Sequence, residues 1–122
     1  MTKHLYFFRH GETYANLEQK LMGGGMDSPL TEKGIVQAEV LAKAVQTLPL
    51  DVLFVSSNTR AQETARILHP SGNIPLIVTE EIKEQSFGVM TGVLLSEIPT
   101  QVDAAYRQDP YYFHHPEGES LD

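Results

Sequence analysis

Arg9, His10, Gly11 and Glu12 stand together directly after a short apolar run, Leu5-Tyr6-Phe7-Phe8, and their types suit phosphoryl chemistry. A neutral imidazole near its ordinary ionisation range is a competent nucleophile at physiological pH. The guanidinium beside it offers a planar fork of donors for phosphate oxygens. Gly11 permits a tight turn or a close approach of backbone to a ligand. As a bare tetrapeptide, the group fits equally well a strand end that runs into a polar turn, so the choice needs more of the chain.

The elements that must position these residues read as an alternation. Leu5-Tyr6-Phe7-Phe8 has the length and continuous apolarity of a buried strand in a parallel sheet. Open α/β sheets bind ligands at the carboxyl ends of their strands, which is where Arg9 and His10 fall. Thr31 opens a helix as its N-cap, Glu32 complements the dipole, and Val36, Val40, Leu41, Ala44, Val45 and Leu48 recur as one apolar face before Pro49. Val52-Leu53-Phe54-Val55 predicts a second buried strand, which ends in Ser56-Ser57-Asn58-Thr59-Arg60. A helix follows over 59–68, with Thr59 and Gln62 at capping-box spacing. Arg60 falls in its first turn, where free N–H groups favour an anion; a solvated helix arginine is the alternative. Leu76-Ile77-Val78 predicts a third strand after the turn residues Ser71-Gly72-Asn73. The alternation calls for α/β architecture with a mainly parallel sheet and helices on its faces, in three α/β/α layers.

Other stretches carry less. Gly23-Gly24-Gly25 lacks the later Lys-Ser or Lys-Thr of a P-loop and reads as a flexible hinge in a surface loop. Glu80 and Glu81 read as solvated, and 93–98 and 101–107 as short helices. His114 and His115 invite a metal, but adjacent side chains point apart and no third ligand stands nearby. A lid or substrate-facing loop suits that aromatic segment better. The 122 residues, 41% of them hydrophobic, support one domain with a modest core. A net charge of −7 argues against nucleic acid and anionic membranes as partners. With no cysteine there is no thiol nucleophile or disulfide framework. No apolar stretch reaches membrane-spanning length and the N-terminal run is too short for a signal peptide, so a soluble, cytoplasmic protein is expected.

Arg9-His10-Gly11-Glu12-Thr13 followed by Asn16 resembles the signature of the histidine phosphatase superfamily, in its phosphoglycerate-mutase-like branch. The resemblance continues in order through Asp27-Ser28-Pro29-Leu30-Thr31-Glu32-Lys33-Gly34, Ser56-Ser57-Asn58-Thr59-Arg60-Ala61-Gln62-Glu63-Thr64-Ala65, Lys83-Glu84-Gln85-Ser86-Phe87-Gly88-Val89-Met90-Thr91-Gly92 and Gly118-Glu119-Ser120. The family's Arg-x-Gln-Gly is replaced here by Leu21-Met22-Gly23-Gly24, so those side-chain contacts do not carry over. The resemblance implies that His10 attacks phosphorus and that Arg9, Asn16 and Arg60 bind the phosphate. It also implies that Glu84 protonates the leaving oxygen, aided by apolar surroundings from Phe87, and that water then hydrolyses the phosphohistidine. It calls for no metal and no cofactor. A small phosphorylated metabolite is the implied partner.

In the family a helix follows the Gly-Glu-Ser motif, and then a strand, seated between the first two strands of the sheet, that ends in a second active-site histidine. That segment lies beyond Asp122. The expectation is therefore a single domain over residues 1–122, truncated relative to the family and incomplete at its C-terminus. The stretch around Glu84 resembles the family's phosphatases more than its mutases, so the expected function is a phosphomonoester hydrolase working through phosphohistidine. A catalytically deficient form that binds phosphate or a partner and a phosphoglycerate-mutase-type phosphotransferase are the alternatives. An incomplete sheet also predicts self-association through its exposed edge. Low activity is expected of the short form, with His114 or His115 a poorly fixed substitute for the missing histidine.

Overall fold

A computed structural model of the chain describes residues 1–110 and 113–119. The architecture is α/β. The chain opens with a single helical turn, α1 (Tyr14–Leu17), followed by α2 (Glu32–Val45). Next come β1 (Leu53–Ser56), α3 (Thr59–Leu68), β2 (Leu76–Thr79) and α4 (Thr100–Gln108). β1 and β2 pair in parallel with Leu53 opposite Leu76 and Ser56 opposite Thr79, and α3 is the crossover between them. Short 3₁₀ turns occupy Gly88–Met90 and Leu95–Glu97; the latter stands where a short helix over 93–98 is expected from sequence.

Thr31 caps α2 as expected, its side chain accepting from the Gly34 N–H at 3.0 Å. The buried stripe of α2 differs from the expected one. Gly34, Ala38, Ala42 and Val45 face inward, while Val36 and Val40 are 54% and 62% exposed. α2 packs on α3, and at that contact small residues let the two elements approach. Ala42, Val45 and Leu68 form the core there, with Leu41 and Leu50 against them. The expected Thr59–Gln62 capping box is absent from α3. Asn58 is the N-cap, without a side-chain cap bond, and Gln62 donates instead to the Ser57 carbonyl at 2.8 Å.

Leu5-Tyr6-Phe7-Phe8 is not the buried strand that its composition suggests. It has no sheet partner among the described residues, and Leu5 and Phe7 are 81% and 90% exposed. An apolar run becomes a strand only when a neighbour supplies the other half of the hydrogen-bond ladder. Here a gap of about 570 Å³ lies between this run and β1, lined by both. The observed sheet therefore has two strands rather than three.

The glycine triplet is not a surface hinge either. Residues 19–24 are stitched to 85–95 through Leu95 N–H to Gln19 O, Leu21 N–H to Val93 O, and Gly24 N–H to Gln85 O. Gly23 is buried with φ of +56°, and a Cβ on it would meet the Phe87 ring and the Gln85 carbonyl. Glycine is required there for contact, in a conformation that other residues adopt rarely. Among the described residues no helix is long and apolar enough to cross a membrane.

The loop that carries His10 is held by direct backbone contact. Thr31 N–H donates to the Glu12 carbonyl at 2.9 Å and Tyr14 N–H to the Pro29 carbonyl at 3.2 Å, around a bridge between Thr13 and Leu30. Gly11 and Gly34 touch: a Cβ on Gly34 would lie 2.1 Å from the Glu12 carbonyl oxygen, and one on Gly11 would lie 2.4 Å from the Gly34 carbonyl oxygen. Both partners are backbone, so neither side yields cheaply. Gly34→Ala, although favourable by helix propensity alone, is expected to lower unfolding free energy by about 1–3 kcal/mol through overpacking. Urea denaturation measures this, and a variant as stable as the parent would contradict the contact.

Candidate active site

His10 is partly buried, and the loop around it is clamped from two sides. Gly34 of α2 abuts Gly11, while the Gly11 N–H donates to Thr64 Oγ1 of α3 at 3.1 Å. Thr64 is itself 3% exposed and donates to the Arg60 carbonyl at 2.8 Å. His10 Nδ1 lies 2.7 Å from the Gly11 carbonyl oxygen. A carbonyl can only accept, so this contact assigns the proton to Nδ1 and leaves the lone pair on Nε2. Burial pushes the imidazole below its ordinary ionisation range; the charges of Arg60 and Arg9 push the same way, against the Gly11 carbonyl and Glu84. A neutral ring at physiological pH follows.

Arg60 occupies the first turn of α3 and is 2% exposed. Its NH1 donates to the Met26 carbonyl at 2.8 Å and its NH2 to the Gly23 carbonyl at 2.9 Å. NH1 also reaches Asp27 Oδ1 at 3.4 Å, and NH2 reaches Glu84 Oε2 at 3.1 Å. Both terminal nitrogens are thus engaged by protein acceptors. The free N–H groups expected at this helix start are engaged too. Thr59 N–H donates to Asp27 Oδ2 at 2.5 Å, and Arg60 N–H donates to Asp27 Oδ1 at 3.4 Å. The anion at the N-terminus of α3 is the chain's own carboxylate.

Two cavities meet at His10. The apolar gap of about 570 Å³ is fronted by Arg9, His10, Arg60 and Glu84 at its polar end. A smaller polar recess of about 330 Å³ is lined by Arg9, His10, Glu12, Asn16 and Gln37. Arg9 is exposed and borders both. Asn16 Oδ1 accepts from the Thr13 N–H and hydroxyl, each at 3.0 Å, in a capping box that fixes α1 and leaves the Asn16 side chain at the edge of the recess. The structure therefore brings His10, Arg9, Arg60 and Glu84 to one place, with Asn16 on the other side of His10.

Phe87 is not spent on Glu84. Its ring packs edge-on against His115 at 4.8 Å and closes over Gly23. His115 is buried among Phe87, Phe113 and Tyr106, and neither of its ring nitrogens has a hydrogen-bond partner among the described residues. Burial lowers its ionisation. Neither His115 nor the exposed His114 lines either cavity, so the described part of this segment packs as an aromatic prop, while residues 111 and 112 of the expected substrate-facing loop lie outside the described residues. Among the described residues no cluster of three or more His, Cys, Asp or Glu could hold a metal. Glu119 fastens to Ser86 through a 2.8 Å backbone bond and a 2.6 Å side-chain bond, while Ser120 lies outside the described residues.

Two site residues escape a reading of the sequence alone, Asp27 and Gln37. Gln37 Oε1 accepts from the Glu12 N–H at 2.9 Å, and its side chain walls the polar recess. The available signal was its place three residues after Gly34, beside the start of the buried stripe. Asp27 opens the second stretch of the family resemblance, but its role carries no local signal, because its partners lie 32 and 33 residues away.

The chain is similar to known proteins along most of its length. The family model of the histidine phosphatase superfamily (branch 1) matches residues 5–122. The chain is 34% identical over 122 residues to fructose-2,6-bisphosphatase TIGAR of Xenopus tropicalis, covering 97% of this chain and 44% of that protein. It is 41% identical over 83 residues to 2,3-bisphosphoglycerate-dependent phosphoglycerate mutase 1 of Arabidopsis thaliana, covering 66% of this chain and 25% of that one. The mycobacterial glucosyl-3-phosphoglycerate phosphatase, solved with VO3, superposes with a TM-score of 0.81 at 25% identity, covering 91% of this chain and 56% of that chain. The chain thus spans less than half the length of these curated relatives. From its Arg9-His10-Gly11 loop, its α/β frame and the match along nearly its whole length, the chain belongs to the histidine phosphatase superfamily, branch 1.

Proposed function

We propose that this site transfers the phosphoryl group of a small phosphomonoester to His10 and then to water. The observation that carries the reading is the His10 ring itself, with Nδ1 held on the Gly11 carbonyl and the ring charge suppressed by burial and two arginines. Nε2 would form the N–P bond as the ester P–O bond breaks. Glu84, at the rim of the same gap, is the carboxyl that would carry a proton to the leaving oxygen, a role that requires it to take up that proton in place of its 3.1 Å ion pair with Arg60. Water then attacks the phosphohistidine, its proton passing to the Glu84 carboxylate as the N–P bond breaks, and inorganic phosphate leaves with the ring restored. Arg9, exposed at the meeting of the two cavities, is the guanidinium open to non-bridging oxygens, and Asn16 and Gln37 wall the polar recess beside it. Arg60 contributes its charge; direct contact with phosphate requires it to give up a protein acceptor. Transfer to a second alcohol in place of water is the mutase variant of the same chemistry.

One observation favours a second reading, a domain that holds phosphate without turning it over. Both terminal nitrogens of Arg60 are engaged, and about 570 Å³ of apolar space opens beside His10, so a phosphoryl group is enclosed from few sides.

Steady-state hydrolysis of p-nitrophenyl phosphate separates the two. On the first reading, His10→Ala lowers turnover about 10³-fold or more. Arg9→Ala lowers kcat/KM by about 10²-fold. Equal turnover in parent and His10→Ala would reject His10 as nucleophile, and phosphate binding without turnover would favour the second reading. The pH profile adds a sign. A protonated imidazole cannot attack, so kcat/KM is expected to rise with pH through His10 ionisation. That ionisation lies below the ordinary value of about 6.5. The rate then levels off by neutrality, whereas a limb centred above that value would contradict the assignment.

A further inference from the structure

We infer that Asp27 is a positioning residue of the His10 site: one carboxylate closes the N-terminus of α3 and steers the Arg60 guanidinium into place beside Glu84 and His10. The inference rests on the proposed reading of His10 as the reactive group, and its geometry is independent of turnover. Asn58, the N-cap of α3, makes no side-chain cap bond; its Oδ1 accepts from Ser56 Oγ at 3.1 Å instead. The first-turn donors Thr59 N–H and Arg60 N–H turn to Asp27, on a loop far back in the chain. That loop is fastened in turn, because Ser28 Oγ accepts from the Ala15 N–H at 3.1 Å and the Ser28 N–H donates back to Asp27 Oδ1 at 3.0 Å.

The same Oδ1 that accepts from the Arg60 backbone also faces Arg60 NH1 at 3.4 Å. Backbone and side chain of one arginine are therefore indexed to a single carboxylate. The neighbouring Met26 and Gly23 carbonyls complete the seat, and Glu84 receives the far edge of the guanidinium. Burial pushes the Asp27 carboxyl up, but the bonds from Thr59, Arg60 and Ser28 outweigh it, so the group is held below the usual carboxylate range and is charged at neutral pH. A carboxylate is also the charge that a helix N-terminus favours. Asp27 lines neither cavity, whereas Arg60 and Glu84 front the gap at His10. Any influence of Asp27 on the imidazole therefore passes through the placement of Arg60.

The test follows amide hydrogen exchange at Thr59 and Arg60, the NMR titration of His10, and binding of inorganic phosphate, in the parent, Asp27→Ala and Asp27→Asn. For Asp27→Ala, exchange at the two amides is expected to be roughly tenfold faster, the cost of a lost cap. The His10 midpoint should move up toward its ordinary value as the guanidinium loosens, and phosphate binding should weaken. Asp27→Asn keeps an oxygen acceptor and serves where the alanine variant does not fold. It should retain the amide protection while the His10 midpoint still moves up, because the charged partner of NH1 is gone. A parental His10 midpoint in either folded variant would make Asp27 a helix cap and nothing more. Unchanged exchange in Asp27→Ala would remove even that role. No readout depends on turnover, so an inactive chain overturns the proposed function without touching this inference.

Discussion

A guanidinium removed from water must be met by acceptors on every side, and that requirement at Arg60 organises the site. An unpaired buried charge costs several kcal/mol, so the chain is held to whatever geometry supplies partners. Four acceptors converge on Arg60 from two separate segments: Gly23, Met26 and Asp27 from the loop before α2, and Glu84 from the stretch after β2. Bringing two backbone carbonyls that close, with the 84–87 stretch packed behind, leaves no room for side chains at Gly23 and Gly24. The glycines are thus a consequence of the arginine. Glu84 reaches the neighbourhood of His10 through the same knot.

The histidine loop is tied to this centre indirectly. Thr64 passes one hydrogen bond to the Arg60 carbonyl and receives another from the Gly11 N–H, so α3 positions both the arginine and the loop that bears His10. On the opposite side, Gly34 of α2 meets Gly11 without an intervening side chain. Contacts of backbone against backbone fix position more tightly than long side chains do, which is what the nucleophilic role proposed for His10 requires.

Much of the frame was legible in the sequence. Runs such as Leu53–Ser56 and Leu76–Thr79, with helices between and before them, follow from length, apolarity and capping chemistry, and Thr31 does what an N-cap threonine should. Leu5–Phe8 misled because strand formation depends on a neighbour, and the run faces a gap where a partner strand would lie. Val36 and Val40 misled because hydrophobicity is a poor guide where two elements approach closely; there Gly34, Ala38 and Ala42 are the buried residues. The glycine triplet looked flexible because composition alone cannot distinguish a hinge from a close contact. Among the site residues, His10 and Arg9 announce themselves by type and by their place after an apolar run. Asp27 stands in a stretch of the family resemblance, but its capping role is not legible there, since a cap supplied by a distant loop has no local periodicity.

The central claim is that the fold presents His10 as a neutral ring with its proton on Nδ1, directed at the Gly11 carbonyl, and its lone pair on Nε2. The direct measurement is a long-range ¹H–¹⁵N correlation spectrum of the histidine rings at neutral pH, with His10 assigned by comparison with His10→Ala. The account expects a protonated Nδ1 and an unprotonated Nε2. A ring protonated on Nε2 alone, or on both nitrogens at that pH, would contradict it.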